Sequence, residues 1–312
     1  MRSLVTLGVL LTMAITAAPV AGRAEPTPPK PAQDKVQTQA GAAETLKITE
    51  DRSTRMTLPV KIDGQGPFAF IIDTGADRTV ISAELAARLN LPRGAPVTLH
   101  GASGEKEVET GRIATLDVGG RTLRDISAPL LRMSDLGADG MLGVDALADR
   151  HITLDFIRNQ MTSTESRRDD FEPGAIVVRG KYRFGQLILV DARLRDVFVY
   201  VILDTGAQDS IGNPVLRRML TTGDPKRDLF SATKILSVTG QTTEAEFQTV
   251  NRLTLGKIVV NNVPVAFAPL HTFKIFGLED KPALLLGMDI LSKFKRVSVD
   301  FKRREVTFVT PD

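Results

Sequence analysis

Two aspartates, Asp73 and Asp204, stand in near-identical phrases 131 residues apart: Ile71-Ile72-Asp73-Thr74-Gly75-Ala76 and Ile202-Leu203-Asp204-Thr205-Gly206-Ala207. A single Asp-Thr-Gly is a good loop and means little alone. Two copies in the same apolar frame need a common cause, and carboxyl chemistry supplies one. Carboxyls held about 3 Å apart cannot both ionise, so they share a proton, and one is a base while the other is an acid at the same pH. Such a pair draws a proton from water and gives another to a carbonyl oxygen without metal, thiol or activated serine. Its titration belongs to the pair, not to either member.

The neighbouring residues suit that task. Phe70 to Ile72 and Val201 to Leu203 read as apolar strands that deliver each carboxyl to a common interface. Gly75 and Gly206 lack a Cβ, which permits tight turns and close approach of two backbones. Thr74 and Thr205 carry hydroxyls able to hydrogen-bond across that interface.

The duplication extends well past these phrases. Gly143-Val144-Asp145-Ala146-Leu147 leads into His151-Ile152-Thr153-Leu154-Asp155-Phe156, as Gly287-Met288-Asp289-Ile290-Leu291 leads into Val297-Ser298-Val299-Asp300-Phe301. Two copies make two related lobes, since a solenoid needs more to bury a continuous core. Short alternating runs at Arg55 to Ile62 and Phe68 to Ile72 flank the turn signal Asp63-Gly64-Gln65-Gly66-Pro67. A short helix follows each phrase, capped by Ser82 in the first lobe and by Asn213 with Pro214 at the first helical position in the second. The expected fold is mainly β, two related lobes with the site between them. The expected boundaries are a signal peptide at 1–24, a disordered tether at 25–44, the first lobe at 45–162, a linker at 163–174 and the second lobe at 175–312.

Composition excludes several classes. The 312 residues include no cysteine, which removes disulfides, thiol catalysis, cysteine-bound zinc and a lipidated N-terminal cysteine. The net charge of +3 is small, and its basic clusters lie in strand-like alternations, so no nucleic-acid partner is expected. His100, His151 and His271 share no metal-ligand spacing, so neither metal nor cofactor is expected. Asp77 and Asp209 read as polar loop residues. Arg2, the apolar run Leu4 to Thr16 and the small residues Ala17 to Ala24 form an export pattern, with an uncleaved membrane anchor as the alternative.

With Met141-Leu142-Gly143 and Leu285-Leu286-Gly287 following the two Asp-Thr-Gly-Ala phrases, the chain from about residue 50 onward resembles retropepsin-like aspartic peptidases. The resemblance implies that Gly143 and Gly287 support the catalytic loops. It also implies flaps at Gly101, Ala102, Ser103 and Gly104 and at Thr239, Gly240 and Gln241. Val144 and Met288 stand where viral members carry arginine, and Ala76 and Ala207 lack the hydroxyl that pepsin-like members place after the glycine. With that donor missing, the dyad should be less acidic. The implied activity is an exported endopeptidase of a bacterial periplasm or envelope, acting on peptide or protein substrates. It would work as a monomer whose halves form an intramolecular pseudo-dimer, with equivalent lobes pairing between chains as the rival arrangement. A catalytically silent peptide-binding or scaffolding module of the same fold is the alternative function.

Overall fold

The computed structural model describes residues 56–311 apart from 148–149, 167–173, 184–185, 190–191, 225 and 227, together with the strand segments 6–9, 15–16, 44–47 and 49–50. The fold is mainly β, with two β-rich lobes. In the first lobe the hydrogen-bonded order runs Arg93–Gly101, Gly104–Val118, Arg121–Leu131, Val80–Ser82, Gly140–Leu142, Gln65–Ile72, Met56–Ile62. The second lobe repeats it as Ser231–Ser237, Thr242–Leu255, Ile258–Phe267, Ile211–Gly212, Ala283–Leu286, Tyr200–Leu203, Gln186–Leu189.

In each lobe the strand that carries the aspartate is flanked on both sides and covered on both faces. Phe70, Ile71 and Ile72 are all wholly buried, as are Val201 and Ile202. A strand closed in this way reads as an unbroken apolar run rather than an alternation, which is why those residues are contiguous in the sequence. Gly140–Leu142 pairs in parallel with the end of Gln65–Ile72, and Ala283–Leu286 pairs in parallel with Tyr200–Leu203.

Both helix starts form as the cap residues predict. Ser82 Oγ accepts from the Leu85 N–H at 3.1 Å to open the helix Ala83–Arg88. Asn213 Oδ1 accepts from the Leu216 N–H at 2.9 Å to open Pro214–Leu220. Asn213 also donates to the Leu278 and Lys281 carbonyls, so this cap doubles as a tie between distant segments.

A further sheet joins the lobes. Arg150–Asp155 lies between Gln160–Glu165 and Arg296–Asp300, and the latter continues through Glu305–Val309 to Ile176–Arg183. The two duplicated segments are thus antiparallel neighbours, with Ile152 opposite Val299 and Leu154 opposite Val297, all buried in one core. The Thr153 and Ser298 hydroxyls meet at 2.8 Å. The linker expected to begin at 163 therefore starts inside a strand that ends at Glu165; residues 167–173 lie outside the described residues.

Thr6–Val9 adds in parallel to Ser231–Ser237, and Ile15–Thr16 adds antiparallel to Arg93–Gly101. Part of the expected export segment thus runs along the outer strands of two long hairpins. Its cleavage region at 17–24 and tether residues 25–43 lie outside the described residues.

Candidate active site

Each aspartate sits where its strand ends and is fixed by the neighbouring parallel strand. The Asp73 N–H donates to the Leu142 carbonyl and the Asp204 N–H to the Leu286 carbonyl, both at 3.0 Å. Asp73 Oδ1 accepts from the Gly75 N–H at 2.7 Å, and Asp204 Oδ1 accepts from the Gly206 and Ala207 N–H groups at 3.0 Å each.

The threonines clamp the two loops together. Thr74 Oγ1 donates to the Leu203 carbonyl at 2.9 Å and accepts from the Thr205 N–H at 3.2 Å. Thr205 Oγ1 returns the arrangement, donating to the Ile72 carbonyl at 2.8 Å and accepting from the Thr74 N–H at 3.1 Å. A hydroxyl is one of the few groups that can donate and accept at once, and both uses are needed here.

Each glycine lies directly against the opposite aspartate. A Cβ on Gly75 would fall 2.4 Å from Asp204 Oδ2, and one on Gly206 would fall 2.4 Å from Asp73 Oδ2. No side chain fits in either place. The Asp73 carboxyl is in hydrogen-bonding contact with that of Asp204, and both side chains are wholly buried. Burial pushes the Asp204 carboxyl up to about 7, although the bonds from Asp73 and from the Ala207 and Gly206 N–H groups pull the other way. The pair is built to keep one proton into the neutral range.

Residues 58–149 match the gag-polyprotein putative aspartyl protease family, and residues 190–290 match the aspartyl protease family. The chain carries two aspartyl protease domains in tandem. No curated protein matches it. The match to each domain covers one aspartate, its strand and the strand that threads behind it.

Gly143 and Gly287 hold equivalent places in the two aspartyl protease domains. A Cβ on Gly143 would lie 2.5 Å from the Arg78 backbone, and one on Gly287 would lie 2.7 Å from that of Asp209. This close approach lets the next N–H groups reach the aspartate-bearing loops: Val144 donates to the Ala76 carbonyl at 2.7 Å and Met288 to the Ala207 carbonyl at 2.9 Å. Asp145 accepts from the Thr79 hydroxyl at 2.8 Å and Asp289 from the Ser210 hydroxyl at 2.7 Å. These carboxyls brace the loops from behind.

Asp209 lies in a loop, as expected, and is half-buried beside Asp289. Burial first, and the Asp289 charge second, push its carboxyl up to about 6. Asp289 is likewise raised to about 6 by burial.

The flap residues of the two domains cross over. The first hairpin turns at Ala102 and Ser103 between the paired Gly101 and Gly104, and the second turns between Ser237 and Gln241 through Thr239 and Gly240. Ala102 joins the buried cluster of the second domain, and Val238 joins that of the first. The Ala102 carbonyl accepts from the His271 N–H at 2.8 Å, and Ser103 Oγ accepts from Thr243 Oγ1 at 2.8 Å. Gly240 lies against Arg132 and Asp135 of the first domain. The sequence could not show that His100 and His271 meet. They are 171 residues apart and share no spacing pattern, yet their ring nitrogens are 3.1 Å from each other.

Proposed function

We propose that this chain is an exported aspartic endopeptidase that hydrolyses peptide bonds with a water activated between Asp73 and Asp204. The observation that carries the reading is the reciprocal packing of Gly75 and Gly206 on the opposite carboxyls, which leaves the two acids facing each other with no side chain between them. The water attacks the peptide carbonyl carbon while the ionised member of the pair takes its proton. The protonated member gives its proton to the carbonyl oxygen, and the tetrahedral intermediate then collapses with the proton passing to the leaving amine. The strand pairing of residues 6–9 and 15–16 with Ser231–Ser237 and Arg93–Gly101 supports an extended substrate, since these outer strands accept an added strand. Burial of the dyad under crossed flaps requires the flaps to part before a peptide can enter.

Export follows from the N-terminal pattern of Arg2, Leu4 to Thr16 and Ala17 to Ala24, and the periplasm or cell envelope of a bacterium is the compartment proposed. N-terminal sequencing of the mature protein checks this part, with a start at Glu25 as the expected result.

Profiling cleavage of a peptide library tests the activity. The wild type should cut, and Asp73→Asn should fall by at least about 10²-fold. Tight peptide binding with no turnover in the wild type would leave a silent binding module instead.

A further inference from the structure

His100, Glu105 and His271 converge beside the first flap. The Nδ1 of His100 lies 3.1 Å from the Nε2 of His271, and the Glu105 Oε1 lies 3.5 Å from the first and 3.7 Å from the second. A tetrahedron with Zn²⁺ bonds of about 2.0–2.1 Å to imidazole nitrogen and carboxylate oxygen has edges of about 3.3–3.4 Å, and the three donor separations scatter around that length. All three donors therefore already lie near the spacing of one face of a zinc tetrahedron. We propose that His100, Glu105 and His271 bind one Zn²⁺ ion, with water in the fourth position, and that the ion pins the first flap to the second lobe and slows proteolysis.

The placement of the donors gives the ion its effect. His100 and Glu105 face each other across the first flap hairpin, whereas His271 opens the helix His271–Ile275 of the opposite lobe. The hairpin alone pairs His100 with Glu105, but His271 comes from the other lobe, so an ion that holds all three also holds the closed flap. The two histidines are largely buried and the Glu105 side chain is 57% exposed, which leaves the ion a route in from solvent. Lys106, the next residue along the strand, directs its ammonium to the Thr239 carbonyl at 3.4 Å. Two imidazoles and one carboxylate favour zinc over calcium or magnesium, which prefer oxygen alone.

The zinc site stands on its own geometry, and its effect on turnover rests on the proteolytic reading. The test uses the full chain freed of metal by a chelator. Zn²⁺ binding is followed by calorimetry and Co²⁺ binding by visible absorption, for the wild type, Asp73→Asn, His271→Ala and Glu105→Gln. One Zn²⁺ per chain is expected in the wild type and in Asp73→Asn, with tetrahedral Co²⁺ bands. Loss of a supporting partner alone weakens zinc sites about 10- to 100-fold, so His271→Ala and Glu105→Gln, which lose a ligand, should weaken binding by more than about tenfold. Saturating Zn²⁺ should slow wild-type peptide cleavage and leave that of His271→Ala unaffected. No uptake by the wild type, or equal uptake by His271→Ala, overturns the site. Uptake without slower cleavage overturns its hold on the flap. If the wild type cuts nothing even without metal while Asp73→Asn still takes up Zn²⁺, the proteolytic reading fails and the site remains.

Discussion

Gly75, like Gly206, leaves no room for a side chain. Its absent side chain is what brings the opposite carboxyl within reach, and the smallest addition would fall 2.4 Å from Asp204 Oδ2. Gly75→Ala should keep the fold, as judged by circular dichroism, and lose peptide cleavage by at least about 10²-fold, because a misplaced catalytic group costs about that much. The same scale sets the pH range. With Asp204 held up to about 7 by burial, the pair keeps its single proton through mildly acidic and near-neutral conditions, and cleavage should fall as pH rises past about 7. A rate that peaks only below about pH 3 would contradict this. Both aspartates, both glycines and both threonines were legible in the sequence because a repeated phrase needs no structural context. The closeness of Asp209 to Asp289 was not, because the two approach only after Gly287 threads behind the loop that carries Asp204.

That second pair makes a separate prediction about stability. Asp209 and Asp289 both have folded values near 6, above the ordinary 3.8, so the folded chain holds protons that the unfolded chain has released. The stability they lend is complete below about pH 4 and is lost as pH rises through about 6. Asp209→Asn removes one of the two like charges. Its urea midpoint should exceed that of the wild type at pH 7 and match it at pH 4, and an equal gain at both would refute the charge argument.

Among the elements, the two aspartate-bearing loops depend on each other through Thr74 and Thr205. Replacing either hydroxyl with a methyl removes the partner of a buried carbonyl and of a buried N–H in the opposite loop, at a cost of about 1–3 kcal/mol for each group. Thr74→Val and Thr205→Val should each destabilise the chain by those two costs together in urea titrations. The double variant should lose less than the sum, because the two hydroxyls serve one clamp. The helix caps and the hairpin turns could be read from the chain because their signals are local: Ser82, Asn213 with Pro214, and the glycines at 101, 104 and 240. The sheet that joins the lobes could not. Its strands alternate like any others, and nothing in His151 to Asp155 announces Arg296 to Asp300 as the partner.

For the whole molecule, that shared sheet makes the lobes one cooperative unit. The buried residues of Arg150–Asp155 and Arg296–Asp300 belong to the same core as those behind both aspartates. Ile152→Ala should therefore cost about 2–5 kcal/mol and give one unfolding transition, where independent lobes would give two. The outer strands of the flap hairpins carry residues 6–9 and 15–16 along the route proposed for substrate. A chain starting at Glu25 should cleave peptides faster than the full chain, since those edges are then vacant.

The crossed flap tips differ in size, and the difference sets an order of events. Ala102 offers the second lobe a single methyl, whereas Val238 offers the first lobe an isopropyl group, both almost fully shielded from water. The two extra carbons are worth about 1–2 kcal/mol of burial. On apolar burial alone the Ala102 tip should let go first, against its bonds to His271 and Thr243, and a visiting peptide would then meet a gap beside Ala102 while Val238 is still seated. Amide exchange at 100–105 should accordingly outpace exchange at 237–243, and it is on this earlier-yielding leaf that His100 and Glu105 sit.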